Sequence, residues 1–138
     1  MTSFEAQQSN LQLRRLQLLL LLMILWDLLA LLAEISFGGP LMKVSGDHIG
    51  GFMAAKTSMS GAALVPICLY LYALARNPMR HRGVLWAGVV EQAAAAAFAV
   101  YHLVASDIKV DGMVLPLVVS AVFLLLLLVN MPRAQAVG

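Results

Sequence analysis

Residues Trp86–Ala105 read WAGVVEQAAAAAFAVYHLVA. As a helix rising about 1.5 Å per residue, the stretch is long enough to cross the hydrocarbon of a bilayer, which takes roughly 20 residues. Neither proline, lysine nor arginine interrupts it. It carries a carboxyl group, Glu91, towards one end and His102 towards the other, with Ala93–Ala97 between them. A helix this apolar cannot be solvated by water along most of its surface, and the rest of the chain follows from that reading.

The composition points the same way. Of 138 residues, 62% are hydrophobic and 12% charged, and the mean hydropathy is +0.88. A soluble domain carries about a quarter of its residues as charges, so this chain lacks the means to coat a water-facing surface. Four apolar segments, at about 16–37, 52–75, 84–105 and 113–130, use most of the sequence. The pattern predicts an all-α integral membrane four-helix bundle, with residues 1–138 forming a single membrane domain.

Punctuation sets the boundaries. Met1–Leu13 is polar and reads as a short cytoplasmic tail or an interfacial helical turn leading into the first span. Gly38-Gly39-Pro40 closes the first segment, and Leu41–Gly51 reads as a loop. Pro66 lies within the second segment and predicts a kink. Arg76–Arg82 is a compact basic turn, 106–112 a short polar loop, and Pro116 falls in the first turn of the fourth segment. Ala54, Ser58 and Ala62 form a small-residue stripe that lets another helix approach, and the Ala93–Ala97 run reads as a second close-packing face.

Arg14, Arg15, Arg76, Arg80, Arg82 and Arg133 fall on one side of the predicted layout, and Lys43 and Lys109 on the other. Basic residues collect on the cytoplasmic side, so both termini are expected in the cytoplasm, with the chain multi-pass in a bacterial inner membrane. The Arg14-Arg15 pair before a leucine run is read as a signal-anchor. Asp27 breaks that run, and no small-residue cleavage site follows. Tyr70, Tyr72 and Trp86 are assigned to the cytoplasmic aromatic belt, with Phe37 and Tyr101 in the outer one.

Several function classes drop out. The basic residues do not gather on a soluble face, so no nucleic-acid partner is expected. Cys68 stands alone, which rules out an internal disulfide and a Cys-based metal site; it reads as a small buried helix residue. His48 and His102 have no ligand spacing, so neither a metal nor a cofactor is expected. No nucleophile-elbow, zinc-protease, phosphate-loop or dinucleotide motif is present, which leans against an enzyme.

What remains are the ionisable groups inside the apolar segments, where a charge costs several kcal/mol unless it is paired, hydrated or neutralised. Counting depth along each segment gives two tiers. The outer tier holds Glu34, Lys56 and His102, with Asp47 and His48 above it. A Glu34–Lys56 pair or Lys56 snorkelling to the headgroups accounts for it without a ligand. The inner tier holds Asp27, Glu91 and Gln92, two carboxyls at mid-depth with no Lys or Arg beside them. These six residues, Asp27, Glu34, Lys56, Glu91, Gln92 and His102, are the candidates for binding a proton or ligand. Helix three is expected to be the most buried, with the face holding Glu91 and His102 turned inward.

The leading functional expectation is a non-catalytic membrane component that self-associates or serves a larger complex, with the bilayer as its surroundings. The alternatives are a proton-coupled carrier or small-ligand or lipid-binding protein using Asp27 and Glu91, and an intramembrane enzyme acting on a lipid-like substrate.

Overall fold

The structure is a computed structural model that describes residues 3–37, 43–45, 62–105, 109–111 and 113–132. Four helices make up its framework: α1 (Ser3–Phe37), α2 (Leu64–Arg76), α3 (Arg82–Val104) and α4 (Val114–Asn130). A single 3-10 turn, Pro78–Arg80, joins α2 to α3. Two three-residue strands, β1 (Lys43–Ser45) and β2 (Lys109–Asp111), pair antiparallel with Lys43 opposite Asp111 and Val44 opposite Val110.

The first helix is longer than the 16–37 expected. It runs unbroken for 35 residues, about 52 Å, through the polar start of the chain. That start is rich in Glu, Gln and Ala and has neither Gly nor Pro, so nothing in it stops a helix. Its side chains from Gln7 to Leu11 are mostly exposed. α3 and α4 lie close to their expected segments. α2 begins at Leu64, which puts Pro66 in its first turn, where the missing N–H costs little. The remainder of the expected second segment, with Lys56 and the Ala54/Ser58 part of the small-residue stripe, lies outside the described residues, as do Asp47 and His48. The two expected loops each contain a strand, because pairing satisfies backbone groups that a free loop would leave open.

Gln12 donates its side-chain amide to the carbonyl of Asn130 at 3.2 Å, so the start of α1 lies beside the end of α4. The turn between α2 and α3 packs against α1, and Met79 of that turn and Met131 after α4 both lie against the hydrophobic core. Asn77 shapes that turn by accepting the Met79 amide on its side-chain oxygen at 3.0 Å. β1 follows α1 and β2 links α3 to α4, so their pairing closes the opposite end.

The core is one cluster. α1 contributes Leu16, Leu19, Leu20, Met23 and Ile24, a stripe at helical spacing. α2 adds Ile67, Tyr70 and Ala73, α3 adds Leu85, and α4 adds Phe123 and Leu127. α1 therefore supplies more of the core than α3, contrary to the expectation from sequence. α3 packs along α4 through a narrow face of small or polar residues, Gly88, Gln92 and Ala99.

The outside is apolar. Leu18, Leu21, Leu22, Leu25, Leu28, Leu29 and Leu32 of α1 and Val118, Val122, Leu125 and Val129 of α4 are exposed, while Asp27, Gln92 and Ser120 are buried. Such a surface far exceeds the few hundred Å² of apolar patch that soluble monomers show. Two helical stretches, Gln7–Leu32 with mean hydropathy 2.1 and Arg82–Val104 with 1.5, are long and apolar enough to cross a membrane. Cys68 is exposed rather than buried, because α2 turns Ile67, Tyr70 and Ala73 inward and leaves Cys68 off that face. The alanine run is also less enclosed than expected: Ala93, Ala94 and Ala97 face outward.

The glycines of α3 make the packing testable. A Cβ on Gly88 would sit 3.0 Å from the Tyr70 hydroxyl and 3.2 Å from Leu127 Cδ1, whereas one on Gly83 would meet nothing within 4 Å. Tyr70 and Leu127 are both fully buried and have little room to yield. Gly88→Ala is expected to destabilise the fold by about 1–3 kcal/mol, and Gly83→Ala to be neutral or slightly stabilising. Thermal unfolding of the two variants in one detergent checks the contrast.

Candidate functional site

Tyr70 is the residue around which the polar interior forms. It lies in the middle of the Ile67–Tyr70–Ala73 face of α2 and has no exposed surface. Its ring lies over Gly88 of α3, where the absence of a side chain leaves space for the phenol. From there the hydroxyl reaches Glu91, just under one helical turn further along α3, and donates to Glu91 Oε2. A phenol in an apolar interior needs such a partner, since burying an unsatisfied hydroxyl is costly.

Asp27 comes to the same place from α1. It is 7% exposed, and its carboxyl interacts electrostatically with Glu91 and with Tyr70. Gln92 follows Glu91 on α3 and is only 2% exposed. Three helices thus contribute two carboxyls and a phenol that interact, with a carboxamide next to Glu91 in the chain. Two atoms of this group have no hydrogen-bond partner among the described residues: Asp27 Oδ2 and Gln92 Oε1.

Of the expected inner tier, Asp27 and Glu91 interact electrostatically across helices, and Gln92 is the neighbour of Glu91 on α3. The expected outer tier does not form a described group. Lys56 lies outside the described residues, and Glu34 is in α1 with its side chain undescribed. His102 sits roughly three turns beyond Glu91 on α3, about 16 Å along the axis. Its ring packs edge-on against Phe98 at 4.5 Å and against Tyr101 at 5.1 Å. Among the described residues no three His, Cys, Asp or Glu side chains are grouped to hold a metal ion.

Sequence reasoning missed Tyr70, which it placed in an interfacial belt beside Tyr72. Tyr72 is exposed, with the Arg76 guanidinium 5.9 Å from its ring centroid and the His81 ring tilted against it at 5.1 Å. The two tyrosines are two residues apart, so one helix cannot present both to the same surroundings. The spacing of Tyr70 from Ile67 and Ala73 is the signal that could have separated them.

Chemically, the group is rich in oxygen acceptors. It can hold a proton between carboxyls or accept a cation, and nothing in it resembles a nucleophile paired with a base. No protein-family pattern matches the chain, and no curated protein or solved structure is similar enough to count as a relative.

The Tyr70–Glu91 bond can be weighed directly. Interhelical hydrogen bonds in membrane proteins contribute about 0.6 kcal/mol on average and up to ~1.7. A double-mutant cycle of Tyr70→Phe and Glu91→Gln, read by unfolding in mixed micelles, is expected to give a coupling energy in that range. Additive effects of the two substitutions would show that the bond contributes nothing.

Proposed function

We propose that this chain is a small proton-coupled carrier, a multi-pass protein of a bacterial inner membrane. In this reading it is a four-span helical bundle with both termini in the cytoplasm, and it carries its proton at Asp27 and Glu91. The observation behind it is the electrostatic interaction of these two carboxyls from different helices, in a largely apolar interior, with the Tyr70 hydroxyl donating to one oxygen of Glu91. An acid kept only for packing is best served by a cation or a full set of donors. Here Asp27 Oδ2 has neither a donor nor a cation among the described residues. Ionisable groups held at such depth mark ion or proton paths in membrane proteins.

Four crossings are supported by the two ends of the fold. The β1–β2 pairing and the Gln12–Asn130 hydrogen bond fit helices that alternate in direction. The arginines of α1 and of the turn between α2 and α3 lie towards the Gln12–Asn130 end, which fits a cytoplasmic face there. A second reading, a non-catalytic component that pairs with itself or with a larger complex, is favoured by one observation. Ala93, Ala94 and Ala97 form an outward small-residue face on α3, where another helix could approach closely.

Two experiments test the proposal. In infrared difference spectra across a pH titration, Asp27→Asn and Glu91→Gln are each expected to remove a carboxyl C=O band while circular dichroism stays unchanged. If neither substitution alters the bands, the carrier reading is overturned. For topology, Ser45→Cys and Gly138→Cys are made in a Cys68→Ala background and treated with a membrane-impermeant maleimide on intact cells. Label is expected at position 45 only, with position 138 reacting after permeabilisation. The reverse pattern would overturn the orientation.

A further inference from the structure

We infer that the turn between α2 and α3 holds the phosphate of an anionic phospholipid, with Arg76 and Arg82 as its clamp. The inference needs the apolar exterior to lie in lipid and does not depend on the carrier reading. Each helix brings an arginine and an aromatic residue four positions apart. The end of α2 carries Tyr72 and Arg76, and the start of α3 carries Arg82 and Trp86. Residues at that spacing share a helix face. Both arginines stand next to the turn, and both aromatics stand about one helical turn away from it. His81 ties the two halves together. Its ring packs at 5.1 Å against the Tyr72 ring, and the Arg76 guanidinium lies 5.9 Å from the same ring. The turn itself is fixed: Pro78 is fully buried, Met79 packs on the core, and Asn77 accepts the Met79 amide at 3.0 Å. Arg76 and Arg80 are left exposed and Arg82 half-buried.

These guanidinium groups lack a counter-charge. No carboxylate pairs with Arg76, Arg80 or Arg82 among the described residues, and Arg82 Nε is enclosed without a hydrogen-bond partner. The next acid along α3, Glu91, is nine residues on, about 14 Å away, and is bonded to Tyr70. Glu5, the acid at this end of α1, stands seven residues before Gln12, about 10 Å further out. A half-buried charge without an anion is costly, and the outer N–H groups of a guanidinium fit two oxygens of a phosphate. Room is present, since a Cβ on Gly83 would meet nothing within 4 Å. The phosphate is lipid-borne because the surface leading away from the cluster is apolar. Leu71 and Tyr72 on α2 and Trp86 and Val90 on α3 are exposed, and tyrosine and tryptophan suit the headgroup level of a bilayer. A zwitterionic headgroup would bring a further cation into a group of cations, so a lipid of net negative charge is favoured.

The test places the full-length protein in phosphatidylcholine nanodiscs, with Trp26→Phe leaving Trp86 as its one tryptophan. A small fraction of lipid carrying a nitroxide high on one acyl chain is added, either as phosphatidylglycerol or as phosphatidylcholine, and quenching of Trp86 is followed. Phosphatidylglycerol is expected to quench saturably and to associate about fivefold more tightly than phosphatidylcholine, the equivalent of the ~1 kcal/mol that one basic residue gains near anionic lipid. Millimolar sodium phosphate, against sodium chloride of equal ionic strength, is expected to leave that quenching in place. Loss of quenching in phosphate would assign the site to a free anion and overturn the lipid. Arg76→Gln and Arg82→Gln are each expected to bring the preference below about twofold. Arg14→Gln, the same loss of charge outside the cluster, is expected to leave it unchanged. Equal losses in all three variants would show a diffuse field and no site, and equal quenching by the two lipids before any arginine is changed would overturn the inference outright. Quenching by neither lipid would remove the membrane placement as well, so the two failures read differently. The same comparison on the unmodified protein, with Trp26 as a constant background, needs no variant to fold.

Discussion

The hydrogen bond from Tyr70 to Glu91 crosses from α2 to α3 above a glycine. Gly88 has no side chain, so the phenol ring can lie against the α3 backbone and its hydroxyl can reach the carboxyl just under one turn on. The same ring is fully buried among Ile67, Leu85 and Leu127, so it serves the core and the polar cluster together. Asp27 and Gln92 then find their neighbours around Glu91. Polar and apolar packing are coupled at this one contact, and a change in helix rotation that loses it would also open the core.

Much of the outside of the fold is as apolar as its core, and a few polar residues lie within. Leucine and valine cover the outside of α1 and α4, while aspartate, glutamine and serine are inside. In water this arrangement would be unstable, because the apolar exterior gains nothing by staying exposed. In hydrocarbon the exterior is neutral and the interior polar groups become the elements that must be satisfied internally. Helix association there depends on close packing and interhelical hydrogen bonds rather than on the hydrophobic effect. Gly88, Gln92 and Ala99, which line the buried face of α3 against α4, suit that requirement.

The two ends of the fold are held differently. At one end a side-chain amide, a proline turn and several methionines fasten α1, the α2–α3 connection and α4. At the other a short antiparallel ribbon ties together segments that sequence reading left as separate loops. Between them lies the carboxyl cluster, away from both fastenings. That placement fits a site whose occupancy changes while the ends stay fixed.

The sequence alone determined the helical character and the positions of α3 and α4. These depend on run length and hydropathy, which are local, and on the fixed rise of a helix. It did not determine which face of each helix is inward. In a run such as LLLLLMILWDLLALL every face is apolar, so periodicity carries no signal, and only neighbouring helices choose Leu16, Leu20 and Met23 over Leu18 and Leu22. For the same reason Tyr70 and Tyr72 looked alike in sequence, Cys68 looked buried, and the polar start of the chain looked like a tail rather than the first turns of α1. The partner of Glu91 was a matter of tertiary structure: it lies 21 positions earlier in the chain, on another helix, and reaches the carboxyl only because a glycine stands between.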